Sequence, residues 1–516
     1  MCHVPWRRTA YITALEIDYY LSESLPKLAW AAEYDIDQHQ TKVRHGSSVE
    51  ISEHGLVEGA WNGNFPDYGF DLAPVSTGTG MRQREDELLF CSSTDRLSPL
   101  FSLQVGGKIH ISNSPIFLMS ETGTKPIPSY PYYVHDILRV SRQGLYCLDG
   151  AIPLDGGVSM HLHISAILSI DTQGKITYRT HPPGQCPSVF EDYHALLKRS
   201  VADVIQNAAH PDRKHPLQSA AALSAGYDAT ACAVLAKEAG CTEAHTFYDS
   251  RADDPHQDSG AEIAKALGMN CKEFDRWTYT KSSEPVEAEF GFFSTNSNAT
   301  LTAMEEALRE KIYVVGCAGD TYWEEDIVPL TKQYSKPWTR GITGISQIEF
   351  RLRVGYQVFA PAYISARHNQ AIAEIVTSEE MAEWSVSDDY DRPVPRRIAE
   401  LAGVPREIFG VHKNATGHSS LTKDRLFSKT GRERYQAFKR KMWQQTKLLT
   451  KVRYRLTHAI YYFLEYKVLK RERKVMASTP AQRKYTFILN SPPFKCPWEF
   501  CFLFQWAYDE IKQRYR

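Results

Sequence analysis

The chain of 516 residues contains no apolar run approaching the ~20 residues that a helical bilayer span requires. Its best stretch, 458–469, is interrupted by Glu465 and Lys467, so no membrane span is expected. Residues 1–9 are charged and contain a proline, with no apolar segment behind them, which argues against a secretory leader. Ten cysteines, at 2, 91, 147, 186, 232, 241, 271, 317, 496 and 501, lack the close paired spacing of a zinc ribbon or a disulfide scaffold. They read as reduced, mostly buried thiols of a cytoplasmic protein. Internal repeats and low-complexity tracts are missing as well.

What is present is ordinary for a globular protein: 42% hydrophobic and 23% charged residues, enough apolar matter to exclude disorder over most of the chain. The length implies two or three domains. A net charge of −1 argues neither for nor against nucleic acid. The distribution of charge is more informative, because residues 421–475 carry 17 Lys or Arg against 4 Asp or Glu. No aromatic-basic recognition module accompanies that excess, so it reads most simply as helices with solvated faces, the alternative being a surface that docks an acidic partner such as a carrier protein or a membrane surface.

From residue 10 to about 182 the chain alternates short apolar runs, such as 88–91, 109–112 and 161–170, with Gly, Pro, Asn and Asp, the pattern of a mainly β region. Three prolines and a glycine in 181–187 mark a linker. A helical period follows over 189–209. Strands and helices then alternate: strand 219–223, helix 230–239, strand 243–248, helix 258–268, strand 271–274, helix 299–310, strand 311–315. Alternation of this kind specifies a doubly wound parallel sheet. The expected organisation is a β-rich domain over 1–185, an α/β domain over 190–420 and a basic helical extension over 421–516.

Between the first of these strands and its helix lies the run Leu223, Ser224, Ala225, Gly226, Tyr227, Asp228, Ala229, Thr230. A tight turn of small residues entering a helix leaves backbone N–H groups unpaired at the positive end of the helix dipole, a geometry suited to phosphate. Ser224 and Thr230 add hydroxyls, and Asp228 suits a Mg²⁺ carried by the phosphates. The run resembles the Ser-Gly-Gly-x-Asp-Ser signature of the PP-loop ATP pyrophosphatases, the group that includes asparagine synthetase and the beta-lactam synthetases. It departs from the signature at Ala225, where the first glycine stands, and at Ala229, where a phosphate-contacting serine stands.

Further segments follow in the same order as in that family. Val315, Gly316, Cys317, Ala318, Gly319 and Asp320 resemble its Ser-Gly-x-Gly-x-Asp-Glu turn, with Thr321 in place of the glutamate. By resemblance Asp320 shares a Mg²⁺ with Asp228. Glu349, in Glu349-Phe350-Arg351-Leu352-Arg353, corresponds to the glutamate that assists deprotonation of the attacking amine. Lys413, after a stretch beginning Pro393-Val394-Pro395-Arg396-Arg397-Ile398, corresponds to the lysine that neutralises the leaving pyrophosphate. Near the amino terminus, Thr94-Asp95-Arg96-Leu97-Ser98-Pro99-Leu100 resembles part of the family's Ntn-type glutaminase domain. Cys2 occupies the position of its nucleophile, but the Arg-Gly-Pro-Asp and Tyr-Asn-Gly-Glu stretches that hold glutamine are missing.

The resemblance implies a degenerate glutaminase-like β-rich domain followed by a PP-loop synthetase domain using ATP and Mg²⁺. The reaction it implies joins a small-molecule carboxylate, or a peptide, to ammonia or a substrate amine, with AMP and pyrophosphate released. Two other classes remain open. A scaffold that kept the fold and lost the reaction is favoured by Ala225, Ala229 and Thr321. A tRNA-modifying or sulfur-inserting pyrophosphatase is disfavoured by the lack of paired cysteines or an RNA-binding module. His161 and His163, without ligand-spaced partners, read as structural, and the aromatic groups at 461–463 and 498–506 as packing.

Overall fold

The structure is a computed structural model that describes residues 16–128, 130, 133, 136, 151–291, 296–324, 345–386, 390–410, 418–419, 427–449, 451–452, 455–456, 459 and 498–516. Cys2, Lys413 and the aromatic group at 461–463 lie outside the described residues.

The amino-terminal half is built on two sheets. One has seven strands in the spatial order Glu16–Leu21, Gln40–His45, Trp30–Asp35, Lys108–Ser112, Leu100–Val105, Ser159–His163 and Ala151–Pro153. The other has six, in the order Ile176–Thr180, Ala166–Asp171, Glu87–Cys91, Ser76–Arg84, Gly55–Trp61 and Glu50–Ser52. Neighbours are antiparallel throughout, except that Glu16–Leu21 runs parallel to Gln40–His45. The sheets share a core in which Trp30, Tyr34 and Ile109 of the first meet Leu56, Phe90 and Leu168 of the second. Alternate inward residues on each strand produce this sandwich.

One expectation fails here. The run 161–170 is not one strand but two, Ser159–His163 and Ala166–Asp171, which belong to different sheets. Ser165 adopts φ 50° at the break, and its hydroxyl donates to the Thr94 carbonyl at 2.7 Å. His163 is buried with its Nε2 2.8 Å from Ser102 Oγ.

Residues 181–187 join the halves and are tied down at points along their length. His181 Nε2 lies 2.8 Å from the Ser92 carbonyl, and Ser365 Oγ donates to the Gln185 carbonyl at 2.8 Å. Helix α1 is Pro115–Glu121, and α2 is Phe190–Ala208. The second half then forms β1 Gln218–Ala222, α3 Tyr227–Glu238, β2 Glu243–Tyr248, β3 Asn270–Asp275, β4 Lys311–Val314, α4 Ile348–Val354, β5 Gln357–Phe359 and α5 Pro393–Leu401. Strands β1 to β5 make one sheet in the order β3-β2-β1-β4-β5, parallel at every pairing. The expected helix over 299–310 is a 3₁₀ segment, Ala299–Met304, passing into a short α turn, Glu305–Leu308.

Both faces of this sheet are covered, and successive residues alternate between them. Ala221, Val314 and Phe359 face a core with α2 and α3. Ala220, Tyr313 and Val358 face a second core shared with Phe101, Phe117 and Leu162 of the sandwich. Helices α6, Lys429–Gln445, and α7, Trp498–Ile511, complete that second core through Tyr435, Met442, Phe504 and Trp506. Packing is therefore what the 502–506 aromatics do. Among the described residues no helix is long and apolar enough to cross a membrane.

Candidate functional site

The order β3-β2-β1-β4-β5 reverses direction between β1 and β4, and a parallel sheet opens a crevice at that point beyond the carboxyl ends of its strands. The turns leaving β1 and β4 are the two glycine-bearing runs identified above. Strand β1, Gln218-Ser219-Ala220-Ala221-Ala222, is made mostly of small residues and is packed against α2 and α3 on one face and the core shared with the sandwich on the other. Helix α3 is apolar nearly all round, with Ala231 to Ala236 buried, so it is held rigidly beneath the crevice.

The turn after β1 is braced on both sides. Ala225 N–H donates to the Asp258 carbonyl at 3.2 Å, and the Ala225 carbonyl accepts from Gly410 N–H at 2.7 Å. Gly410 has φ +69°, and a Cβ there would lie 2.3 Å from the Tyr227 ring. Ala225 itself is not among the positive-φ residues, so its Cβ is accommodated without strain. Gly226 caps α3 in extended conformation, and its N–H lies 3.3 Å from Ser224 Oγ. A Cβ added to Gly226 would meet nothing nearer than 3.4 Å, so the fold itself does not demand glycine at this position. Thr230 is buried and its hydroxyl donates to the Gly226 carbonyl at 2.8 Å. It is therefore spent inside the helix and does not replace the hydroxyl missing at Ala229.

The turn after β4 lies directly on the first turn of α3. A Cβ on Gly316 would fall 2.5 Å from the Ala229 nitrogen, and one on Gly319 would fall 2.2 Å from Asp228 Cγ and 2.4 Å from its Oδ1. Between them Ala318 adopts φ 69°, a left-handed conformation uncommon for a residue with a side chain. That strained residue starts the helical turn Gly319–Tyr322, which carries Asp320. The structure thus brings together Asp228 and Asp320.

Asp228 keeps only 16% of its side-chain surface exposed. Its Oδ2 is paired with Arg392, whose other arm donates to Glu324 Oε1 at 2.8 Å. Its Oδ1 is buried with no hydrogen-bond partner among the described residues. Burial pushes the Asp228 carboxyl up to about 6, with Asp320 and Glu324 adding to the rise and Arg392 opposing it. The same burial, with Asp320 and Asp95 nearby, pushes the Cys317 thiol up to about 12. Tyr390 stands beside this cluster, its ring 4.8 Å from that of Tyr227 and 5.2 Å from the Arg392 guanidinium. The Arg396 guanidinium lies over the Tyr227 ring and donates to its hydroxyl.

Glu349 belongs elsewhere. It is buried on α4, with Oε1 accepting from Ser114 Oγ at 2.7 Å and Oε2 from the Tyr515 hydroxyl at 2.5 Å. Both oxygens are committed, and the charges that act on it are those of Arg514 and Glu289 rather than of the Asp228 cluster. The structure does not gather Glu349 with the two aspartates.

Glu324, Arg392 and Tyr390 are the members that sequence reasoning missed. Glu324 lies four residues beyond Asp320, and that spacing was the one available signal. Among the described residues no group of three or more His, Cys, Asp or Glu is placed to hold a metal by itself. A hard cation held by two carboxylates and by the phosphates of its substrate does not need one. No protein-family model matches this chain, and no curated protein matches it significantly in sequence.

Proposed function

We propose that the protein is an ATP-dependent, AMP-forming ligase of the asparagine-synthase-like class, with a glutaminase-like sandwich and a PP-loop synthetase domain. A substrate carboxylate attacks the α-phosphorus of ATP and pyrophosphate leaves. Ammonia or a substrate amine then attacks the acyl-adenylate, forming an amide or lactam and releasing AMP. The observation that carries this reading is the convergence of two turns at the reversal of strand order, which sets an unpaired Asp228 oxygen against the turn bearing Asp320.

Each group has a role in that chemistry. Asp228 and Asp320 would hold a Mg²⁺ together with the phosphates of ATP, and the ion when bound would neutralise triphosphate charge. Gly226 leaves the backbone approachable, and Ser224 adds a hydroxyl. Arg392 holds the Asp228 carboxylate in place, and with Arg396 it supplies positive charge on the α5 side of the crevice. A second reading, a nucleotide-free scaffold, is favoured by the Arg392–Asp228 pair and by the inward turn of the Thr230 hydroxyl.

Calorimetric titration with ATP and Mg²⁺, beside a pyrophosphate-release assay over a panel of amino and dicarboxylic acids, separates the two. The wild type is expected to bind. Asp228→Asn should lower release by roughly a hundredfold or more. Gly226→Ala should retain the thermal midpoint and lose nucleotide affinity. Absence of binding heat in the wild type would establish the scaffold.

A further inference from the structure

Helix α6 ends at Gln445, where Thr446 takes an extended conformation and breaks the helix. Up to that point the helix is anchored: Tyr435 and Met442 are buried in the core. Beyond it a new helical turn begins, with Lys451 N–H donating to the Lys447 carbonyl at 3.0 Å. This turn carries its apolar residues outward. Leu448 is 75% exposed, Leu449 85%, Val452 47% and Leu456 59%.

At 100° per residue, positions 448, 449, 452 and 456 fall within one arc of about 100°. Lys447, Lys451 and Arg455 fall together along one edge of that arc. Lys451 Nζ and the Arg455 guanidinium lie 5.7 and 5.9 Å from the ring of Trp443, at the end of α6. The product is an exposed leucine stripe with cations and an indole beside it, on the most basic part of the chain, 17 basic against 4 acidic residues over 421–475.

We propose that this face is a docking site for an anionic lipid surface. The two halves of the pattern point to the same partner. Cations alone would suit any polyanion, but leucines exposed to this extent gain nothing from a nucleic acid backbone or an acidic, hydrated polypeptide. In a bilayer interface the apolar arc enters the acyl boundary while the long basic side chains reach the headgroup phosphates. Trp favours the same boundary, where its ring is half-immersed and its N–H is wet. The basic excess of the sequence over 421–475 adds longer-range attraction that salt screens. Lipid docking of this kind is independent of the chemistry in the crevice.

The test is co-sedimentation of the full-length protein with phosphatidylcholine vesicles, with and without phosphatidylglycerol. Binding is expected to the mixed vesicles only, and to fall as salt is raised. Leu448→Gln with Leu449→Gln should weaken it by roughly tenfold per leucine. Lys451→Gln with Arg455→Gln should weaken it by roughly fivefold per cation. Both pairs are expected to leave the thermal midpoint in place. Failure to sediment with anionic vesicles, or sedimentation that the leucine pair leaves unchanged, would overturn the proposal. So would tighter binding to single-stranded RNA or polyglutamate than to the mixed vesicles.

Discussion

Burial is what sets the charge state of Asp95. Its Oδ1 accepts from Ser93 Oγ at 2.5 Å and from Leu97 N–H at 2.8 Å, and both bonds favour the ionised form, as do the cations Arg351 and Arg96. Desolvation outweighs them and raises the carboxyl from 3.8 to about 6. Between those two values the folded protein holds a proton that the unfolded chain has released. The resulting stabilisation is complete below about pH 4 and is lost as the pH rises through about 6, a change of about 3 kcal/mol. Asp95→Asn keeps an oxygen for both hydrogen bonds and has no proton to lose. The variant should therefore show a flatter stability profile than the wild type over this interval, and should equal or exceed it at pH 7. Urea midpoints measured at half-unit steps check the prediction; parallel profiles for the two proteins would refute it.

The element that sequence reading misjudged most is α4. Glu349 was assigned by resemblance to proton abstraction, yet its partners come from the N-cap of α1 and from the far carboxyl end, 166 residues away. Spacing along a chain places a residue on an element, but not which distant element will cover it. Ser114 serves both sides, accepting the Phe117 N–H that starts α1 and donating to Glu349. Tyr515 stacks on Phe117 at 4.8 Å while its hydroxyl reaches the carboxylate. Tyr515→Phe keeps the stacking and deletes one donor to a buried carboxylate, which should cost about 1–3 kcal/mol in chemical denaturation. A loss below about 0.5 kcal/mol would mean that the bond is not holding the seam. By contrast, β1 to β4 and α3 were legible, because apolar period and small-residue turns are local signals. The two aspartates were legible for the same reason, each following a strand by a few residues. Arg392 and Tyr390 were not, since a single Arg or Tyr before a proline carries no periodic mark. The break at Ser165 was missed because a serine, not a glycine, takes the positive φ.

At the scale of the molecule, one buried carboxylate sits in the seam where the sandwich and the parallel sheet meet. Glu58, on Gly55–Trp61, accepts from Arg351 of α4 at 2.6 and 3.1 Å, from Gln357 of β5 at 2.7 Å, from Thr79 at 2.6 Å and from Asn113 at 3.2 Å. Arg351 and Glu58 keep 1% and 0% of their side-chain surface exposed. Beside them Thr77 donates to the Val358 carbonyl at 2.5 Å, so the otherwise open edge at β5 is covered by the sandwich. A charge this deeply buried is tolerable only while its partners remain, and both halves supply them. Removing one partner leaves the other charge buried and unpaired. Arg351→Met and Glu58→Gln should each destabilise by about 3–5 kcal/mol, and the double variant by less than the two losses added. Because the pair and its neighbours join cores on both sides, the loss should appear as an earlier midpoint of one transition, followed alike by tryptophan fluorescence and circular dichroism. Two separate transitions in the wild type, or single losses under about 1 kcal/mol, would show that the halves fold independently and that Glu58 does not couple them.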